Sequence, residues 1–366
     1  MRKEWEYKKL NEVCEKGTSN IVINKLADNK GKYPLFGASG LVKNIDFFHQ
    51  DKPYIGIVKD GAGVGRVNIY PAYSSLVGTM QYIFPKEGYS IDFIKYFLVK
   101  LDLSHCVSGA TIPHIYFKDY GKENIPTPSL ATQLAIVTEL DKINELIRLK
   151  KEQLKDFDNL AQSLFYEMFG DPVENEKGWD VKKLKDISRE IGDGLHGTPE
   201  YSEVDTGCYF INGNNLENGT IVIKENTKMV SEKTKAKHYI EMDDFTILVS
   251  INGTLGKVAF YNGENVILGK SACYIKLEAY NDKKYIFELL KSDYFKRYAE
   301  SECTGTTIRN VSLKSMRNFR CPLPPLPLQR LFAQRIEQIE REKSEVQKSI
   351  QDLETLLASR MQYWFE

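Results

Sequence analysis

The feature that most constrains this chain is a short phrase that it contains twice. Residues 108–118 read SGATIPHIYFK and residues 304–314 read TGTTIRNVSLK, 196 positions later. The match continues without a gap into a proline-rich tract, IPTPSL in the first copy and CPLPPLPL in the second. An internal repeat of this kind indicates that one structural unit is built twice. We therefore expect two related globular domains.

Both copies open on the same short pattern and then diverge. WEYKKLNEV begins at Trp5 and WDVKKLKDI begins at Trp179. The distance from this tryptophan to the repeated glycine is 104 residues in the first copy and 126 in the second. The positions that match without a gap at the far end are Gly109, Thr111, Ile112, Lys118, Pro126, Pro128, Leu130 and Gln133, with Gly305, Thr307, Ile308, Lys314, Pro322, Pro324, Leu326 and Gln329. Matched ends with divergent middles are typical of one scaffold that carries two different surfaces.

A long helical pattern follows each proline tract, where proline ends the preceding structure. Apolar residues recur at alternating spacings of four and three for more than four heptads, which is the pattern of a coiled coil. The predicted seam positions are Ile136, Leu140, Ile143, Ile147, Leu154, Phe157, Leu164, Phe332, Ile336, Ile339, Val346, Ile350, Leu353 and Leu357. Lys150 and Lys343 interrupt the seam and are expected either at its edge or as residues that set the register at a cost in stability. One amphipathic helix per domain is the alternative, but both stripes are too long for one small domain to cover.

Two helices of equal length in one chain most naturally pair with each other, and the intervening domain favours an antiparallel pair. The globular segments mix short β-like runs with helical stretches at 91–101 and 283–300. Because the strand runs cluster before the helix, we expect an α+β fold with two domains in tandem, joined by the antiparallel coiled coil. The predicted boundaries are 1–129 and 170–325 for the domains and 130–169 and 326–366 for the helices.

Composition places few limits on the function. The chain has 50 basic and 50 acidic side chains, so charge neither requires nor excludes a nucleic-acid partner. No apolar run is long enough for a membrane span, and the first residues lack the apolar segment of a secretion signal. The six cysteines stand singly, which favours a reducing cytoplasm over a disulfide framework. We therefore expect a cytoplasmic protein.

Motifs of common catalytic sites are missing from the sequence. GAGVG (61–65) lies between two strand-like runs and is more typical of a hairpin than of a phosphate loop. LGKSA (268–272) lacks the glycine that a P-loop requires. The histidines show neither HExxH nor a CxxC partner, and the adjacent His105 and Cys106 do not have ligand spacing. We expect no catalytic residue, no metal site and no cofactor in this chain, which favours a binding protein.

Loops rich in Gly, Ser, Thr, Asn, Lys and Arg occur at matching places in the two copies. They are GASGLVKN, KDGAGVGR and SGATIPH in the first copy, and GDGLHGT, NGNNLENG, SINGTLGK and TGTTIRN in the second. Ordinary turn chemistry explains any one of them, but their duplication in divergent copies favours a shared binding role. Hydroxyls and backbone amides can bind phosphates, while Asn, Arg, Lys and His can reach base edges in the major groove. The DNA-binding candidates are Lys59, Arg66, Ser108, Thr111, His114, Asn214, Asn252, Lys257, Thr307 and Arg309.

Taken together, this order of features resembles the DNA-specificity subunit (HsdS) of type I restriction-modification systems. The resemblance covers the whole chain and depends on the order and duplication of its anchors. They are Trp5, Leu10, Ser108, Gly109, Thr111, Pro126, Pro128 and Gln133, with Trp179, Leu184, Thr304, Gly305, Thr307, Pro322, Pro324 and Gln329. The resemblance implies two target-recognition domains, each reading half of a split, asymmetric DNA site, and two helices that fix the distance between the halves.

The resemblance also implies that catalysis lies in other subunits. S-adenosylmethionine would be held by two methyltransferase subunits, and ATP and Mg²⁺ by restriction subunits, so that the assembled complex methylates adenine and cuts DNA. Two other functions stay open from the residues alone. One is a stand-alone DNA methyltransferase, and the other is a coiled-coil scaffold with two protein-binding domains.

Overall fold

The computed structural model describes residues 5–26, 29–109, 111–303 and 309–366. They divide into two units. The first unit contains the chain up to Gln153 together with Val346–Glu366, and the second contains Leu154–Glu345. The predicted domain boundaries stay a prediction, because each unit takes in part of both long helices.

The first unit is built from nine short strands and the helices around them. The strands are β1 (Tyr7–Lys9), β2 (Cys14–Thr18), β3 (Tyr33–Gly37), β4 (Gly40–Ile45), β5 (Tyr54–Val58), β6 (Val67–Tyr70), β7 (Ser75–Leu76), β8 (Met80–Pro85) and β9 (Asn124–Pro126). The helices are α1 (Leu10–Val13), α2 (Ile91–Lys100), α3 (Phe117–Tyr120) and α4 (Leu130–Phe169), of which α4 continues into the second unit.

The second unit follows the same plan with some additions. Its strands are β10 (Asp180–Lys183), β11 (Ser188–Asp193), β12 (Tyr209–Ile211), β13 (Leu216–Glu217), β14 (Thr220–Ile221), β15 (Thr246–Ser250), β16 (Val258–Phe260), β17 (Val266–Leu268), β18 (Ala272–Leu277) and β19 (Arg320–Leu323). Its helices are α5 (Glu232–His238), α6 (Lys283–Lys291), α7 (Asp293–Ser301), α8 (Leu313–Asn318) and the first part of α9 (Leu326–Phe365).

Sheet topology confirms that the two units are copies of one fold. The main sheet is antiparallel, with strand order β2-β8-β5-β6 in the first unit and β11-β18-β15-β16 in the second. In each unit the entry strand also pairs with the strand of the proline tract, β1 with β9 and β10 with β19. A parallel pair recurs as well, β3 with β7 and β12 with β17. The predicted α+β class and the internal repeat are therefore confirmed.

The two long helices run antiparallel within each unit. In the first unit Arg360 binds Glu139, and the Nζ atom of Lys151 lies 2.8 Å from Glu354. In the second unit the Nζ atom of Lys343 lies 2.5 Å from Asp158, and the rings of Phe165 and Phe332 pack edge to face with centroids 5.8 Å apart. In both units residue numbers rise along α4 as they fall along α9, so the predicted antiparallel coiled coil is confirmed.

The seam positions differ in burial along the helices. Those that are buried are Ile136, Leu140, Ile143, Ile147, Leu164, Phe332, Ile336, Ile339, Val346 and Ile350, and those that are half-buried are Leu154, Phe157, Leu353 and Leu357. Lys150 and Lys343 keep their charged ends at the edge, where Lys150 donates to Gln153 and Lys343 to Asp158. The ends of the helices carry the best-buried positions because they also pack on the globular domains.

A buried glutamine fastens the start of each long helix to its domain. Gln133 Oε1 accepts from the backbone N–H of Ser90, and its Nε2 donates to the Pro128 carbonyl, at 2.9 Å each. Gln329 makes the same two contacts with Asp282 (3.0 Å) and Pro324 (2.8 Å). Ser90 and Asp282 are the N-caps of α2 and α6. In each unit the repeated glutamine thus connects its own long helix to the proline tract before it and to the N-terminus of α2 or α6.

Two predicted segments differ from the structure. The helical stretch 283–300 is two helices, because Ser292 takes an extended conformation between them and its hydroxyl caps α7 by accepting from the Phe295 N–H. GASGLVKN (37–44) is predicted as a loop, but most of it is β4, which forms a tight hairpin with β3 at Gly37 and Gly40. Gly40 has φ 110°, which a glycine adopts without strain.

Candidate nucleic-acid interface

The clearest shared site is a pair of loops that are hydrogen-bonded to each other, called here the bracket. In the first unit it joins residues 59–66, between β5 and β6, to Ser108 and residues 111–116, before α3. Asp60 and His114 face each other as a bridge. On either side the Gly61 N–H donates to the Pro113 carbonyl (3.0 Å) and the Ile115 N–H to the Lys59 carbonyl (2.9 Å).

The second unit repeats this bracket between the loop after β15 and the segment before α8. Asn252 and Asn310 face each other as a bridge. The Gly253 N–H donates to the Arg309 carbonyl (2.9 Å), and the Val311 N–H donates to the Ile251 carbonyl (2.8 Å). The two units therefore hold different side chains in the same backbone frame.

The structure brings most first-unit candidates to the bracket. The Nζ atom of Lys59 lies 3.6 Å from Asp60, and His114 Nδ1 lies 2.9 Å from the same carboxylate. Ser108 pairs with His114 through two backbone hydrogen bonds of 2.8 Å. Thr111 lies exposed in the same loop. An ammonium, a carboxylate, an imidazole and two hydroxyls thus share one surface.

Arg66 occupies the far end of the first bracket loop. Its Nη1 donates to the Ala38 carbonyl at 3.3 Å, which links this loop to the β3–β4 hairpin. A Cβ atom at Gly63 would lie 2.7 Å from the Arg66 guanidinium. Glycine at this position therefore lets the guanidinium lie across the loop, with the side chain exposed.

The second-unit candidates divide between the bracket and its surroundings. Asn252 and Arg309 belong to the bracket, and Arg309 Nη1 lies 3.4 Å from Glu300. Asn214 is exposed on the 3-10 turn Gly213–Asn215, whose first N–H donates to Ser271 Oγ. Lys257 points to Glu217, 3.9 Å away. Thr307 lies outside the described residues.

The ion pairs of Glu217 weaken the case for Lys257. The hydrogen bond from Lys224 (2.6 Å) and, to a smaller extent, the charge of Lys257 hold the pKa of Glu217 below its usual range. Glu217 therefore stays ionised, and part of the positive charge of Lys257 is neutralised within the protein. Both charged second-unit candidates in the described residues thus have a carboxylate nearby, Lys257 at 3.9 Å and Arg309 at 3.4 Å.

The sequence did not single out several side chains that line a polar cleft beside the second bracket. The cleft has a volume of about 460 Å³. Its lining residues are Asp193, His196, Ile251, Asn252, Lys270, Asn310, Val311, Ser312 and Leu313. His196 Nε2 lies 2.7 Å from Asp193 Oδ2. The signals in the sequence are GDGLHGT, which indicates only a loop, and LGKSA, which fails as a phosphate loop.

One group of side chains outside the bracket has the chemistry of a metal ligand set. His105, Cys106 and Glu123 offer donor atoms within 4.8 Å of one another. His105 Nε2 lies 3.1 Å from Glu123, and its Nδ1 lies 2.9 Å from the Asp102 carbonyl. The adjacent residues come together because Leu103–Cys106 is a 3-10 turn. This nitrogen, sulfur and oxygen set could hold a zinc ion.

The buried thiols lack the properties of nucleophiles. Burial raises the pKa of Cys14 to about 12, and it also raises the pKa of Cys273 and Cys321. A cysteine reacts as its thiolate, and these environments disfavour that form. These three cysteines therefore contribute to packing.

None of the helices formed by the described residues has the length and apolar content that a membrane crossing requires.

Comparison with known proteins identifies the family. The family model described as the type I restriction modification DNA specificity domain matches residues 2–156 and 176–355. The chain belongs to this family. Sequence-specific recognition of DNA is its function, and specificity subunits are the non-catalytic subunits of type I systems, acting with methyltransferase and restriction subunits. This membership favours the DNA-reading interpretation over a stand-alone methyltransferase or a protein scaffold.

Individual specificity subunits resemble the chain over most of its length. The MjaVIII specificity subunit of Methanocaldococcus jannaschii is 22% identical over 327 residues, covering 81% of this chain and 76% of the relative. The EcoDI specificity subunit of Escherichia coli is 21% identical over 398 residues, covering 95% and 84%. The family resemblance stated from the sequence is confirmed.

Solved structures share the fold. A type I S subunit from M. genitalium matches with a TM-score of 0.54 and 16% identity, over 99% of this chain and 96% of that one. A chain from a study of complex assembly and conformational transition of a type I system matches with a TM-score of 0.63, also at 16% identity, over 98% and 96%. At this identity the likeness is one of fold.

Proposed function

We propose that this specificity subunit reads a bipartite, asymmetric DNA site, with one half-site for each domain. The observation that supports this most directly is the bracket, because the same backbone frame carries Asp60 and His114 in one unit and Asn252 and Asn310 in the other. Identical readers would favour a symmetric site, whereas different side chains in one frame favour two different half-sites. The proposed domains are 1–129 and 170–325, with 130–169 and 326–366 as the spacer.

The contacts proposed for DNA fall into two classes. Hydroxyls and amines bind phosphates and set affinity, and side chains that reach base edges set the sequence. The proposed contact residues are Lys59, Arg66, Ser108, Thr111, His114, Asn214, Asn252, Lys257, Thr307 and Arg309. Because phosphate contacts release counterions, we expect affinity to fall steeply as salt rises.

The same proposal covers the other subunits. Two methyltransferase subunits would bind S-adenosylmethionine and modify adenine, and restriction subunits would use ATP and Mg²⁺. A target adenine must leave the base stack before it can be methylated, and the enzymes that modify it supply that pocket. This chain would then act without a cofactor of its own, in the cytoplasm where the DNA lies.

Methylome sequencing tests the proposal. Cells that carry this gene with its methyltransferase partner are compared with cells in which only this gene is deleted. We expect methylated adenines in one split motif, which disappear on deletion. Persistence of every methylated motif after deletion would contradict the proposal.

A domain exchange tests the division of labour. Residues 1–129 are replaced by the equivalent segment of another specificity subunit, and the methylome is read again. We expect one half-site to change while the other stays as it was. A simultaneous change of both half-sites would show that the two domains do not read independently.

A further inference from the structure

The two brackets are equivalent in backbone geometry, which allows their side chains to be compared position by position. The Gly61 N–H donates to the Pro113 carbonyl, and in the same way the Gly253 N–H donates to the Arg309 carbonyl. The Ile115 N–H donates to the Lys59 carbonyl, and in the same way the Val311 N–H donates to the Ile251 carbonyl. Asp60 therefore corresponds to Asn252, and His114 corresponds to Asn310.

The backbone and the buried neighbours of the two bridged pairs are alike, whereas the side chains of the pairs differ. The glycines that follow Asp60 and Asn252, Gly61 and Gly253, have φ values of 92° and 76°, a left-handed conformation that favours glycine. The residues that follow His114 and Asn310, Ile115 and Val311, are 1% exposed each. The backbone and its buried support are thus the same, and the variation lies in the half-buried pair.

The first pair belongs to a small group of charges. The Asp60 carboxylate lies 2.9 Å from His114 and 3.6 Å from the Lys59 ammonium, and all three side chains are about one third exposed. The His114 Nδ1–H donates to the Asp60 carboxylate and orients it, and a carboxylate accepts from the N4 amino group of cytosine. The pair therefore suits a G·C pair, which presents that amino group in the major groove, and the neighbouring Lys59 ammonium can bind the O6 and N7 atoms of guanine.

The second pair offers a different chemistry. Asn252 and Asn310 carry carboxamides, each with one acceptor and one donor group. Adenine presents the N6 amino group and the N7 acceptor, which a carboxamide contacts with two hydrogen bonds. Both residues also line the 460 Å³ cleft, so a base edge has room to approach them.

We infer that the bracket pair is the specificity-determining position of each domain, with Asp60 and His114 selecting a G·C pair and Asn252 and Asn310 selecting an A·T pair. This inference rests on the proposed function and adds to it the base pair that each half-site contains at the equivalent position. The side chain that a domain carries at this pair, rather than the rest of its loops, decides that base pair.

A transplant of the pair tests the inference. Asn252→Asp is combined with Asn310→His, and the variant is expressed with its methyltransferase partner for methylome sequencing. We expect one base pair of one half-site to change from A·T to G·C, with the other half-site unchanged. The reciprocal change, Asp60→Asn with His114→Asn, should alter one base pair of the other half-site in the opposite direction.

A binding measurement covers the case in which a transplant abolishes methylation. The purified complex carrying Asn252→Ala is tested on duplexes that differ from the wild-type motif at one base pair each. We expect discrimination at one A·T position to fall by about 5- to 100-fold, the value of one lost pair of base contacts. Asn262→Ala, an exposed asparagine on another loop of the same unit, should leave discrimination unchanged at every position.

The outcomes separate this inference from the proposed function. If the wild-type complex gives no bipartite motif, the proposed function fails. If the wild-type motif is bipartite but neither transplant changes a base pair and Asn252→Ala keeps full discrimination, only the inference is overturned. A transplant that changes both half-sites overturns it as well.

Discussion

Gln133 and Gln329 show how one buried side chain can fasten a helix to a domain. Their carboxamides are 1% and 3% exposed, and each uses both its acceptor and its donor on backbone groups. A backbone group that loses its partner inside a protein costs the desolvation free energy in full. The glutamines therefore stabilise both the N-cap of the domain helix and the start of the long helix.

Replacing Gln329 with leucine should destabilise the protein. The half-buried Asp282 N–H and the buried Pro324 carbonyl would lose their partner, at a cost of about 1–3 kcal/mol in the free energy of unfolding. Denaturant unfolding of the full chain measures this cost. The same substitution at Gln351, which is exposed on α9, serves as the control and should change the free energy of unfolding by less than about 0.5 kcal/mol.

Replacing Glu288 should stabilise the protein, unlike the replacement of Gln329. Its side chain is 11% exposed, and burial raises its pKa despite the nearby Lys291 ammonium, 3.8 Å away. The folded state thus holds a proton on this carboxyl more strongly than the unfolded state does. This preference makes the protein less stable as pH rises from the unfolded carboxyl pKa, about 4.3, through the higher pKa of the folded state.

Glu288→Gln should therefore raise the melting temperature at pH 7, by about 1–3 °C. The gain should shrink as pH falls toward the carboxyl range, where glutamate itself is protonated. Thermal unfolding of the wild-type protein and of Glu288→Gln, at pH 7 and near the ordinary carboxyl pKa of about 4.3, measures the difference in melting temperature. Glu345→Gln, at an exposed position of the same unit, is the control, and an equal gain from this variant would rule out burial as the cause.

At the scale of elements, the end of α9 is held against α4 by a small polar cluster. The Arg360 Nη2 donates to Glu139 at 3.0 Å, and the Trp364 indole N–H donates to the same carboxylate at 3.1 Å. The Arg360 guanidinium holds the pKa of Glu139 below its usual range. Glu139 is 33% exposed and Arg360 30%, so solvent screens part of this attraction.

A double-mutant cycle with Glu139→Gln and Arg360→Met should detect this contact. We expect a coupling of about 0.5–1 kcal/mol in the free energy of unfolding, since the pair is bidentate but partly exposed. Arg148, which pairs with Glu145 and Glu152 on a single helix surface, provides a comparison within one helix. A coupling at Glu139 no larger than that of Arg148 with Glu145 would mean that the cluster adds little to helix pairing.

The elements that the sequence predicted are those with long or repeated signals. The heptad pattern predicted α4 and α9, because a 3.5-residue period held over forty residues is typical of long paired helices and of little else. The short hairpin of β13 and β14 was not predicted, since two-residue strands leave no periodicity to read. The break at Ser292 was not predicted either, because serine occurs inside helices as well as at their ends, and only the cap contact separates the two cases.

At the candidate site, the sequence identified loops more reliably than side chains. His114 and Asn252 were chosen for their chemistry and do lie in the brackets, whereas Lys257 points to a carboxylate. Asn310 and Lys270 were missed because their importance depends on a cleft formed by segments that are distant in sequence. The gapless repeat by itself aligns His114 with Asn310, and the backbone pairing establishes that Asp60 corresponds to Asn252.

Deleting one heptad from each long helix tests whether the helices act as a spacer. Residues 144–150 of α4 lie opposite residues 350–356 of α9, as the contact between Lys151 and Glu354 indicates. The core positions of a coiled coil repeat every seven residues, so removing both heptads keeps the apolar seam in register. The helix pair becomes shorter by about 10 Å, which is the length of about 3 base pairs of DNA.

If the helices set the separation of the half-sites, the heptad deletion should shorten the unspecified segment of the methylated motif by about 3 base pairs while both half-sites keep their sequence. Methylome sequencing of cells expressing the shortened subunit with its partner reads both quantities at once. Deleting the heptad from α4 alone is the control, because the opposing seam then loses its match and methylation should fall without a new, shorter motif. A shortened subunit that still methylates the wild-type spacing, or that changes a half-site sequence, would show that the helices do not act as the spacer.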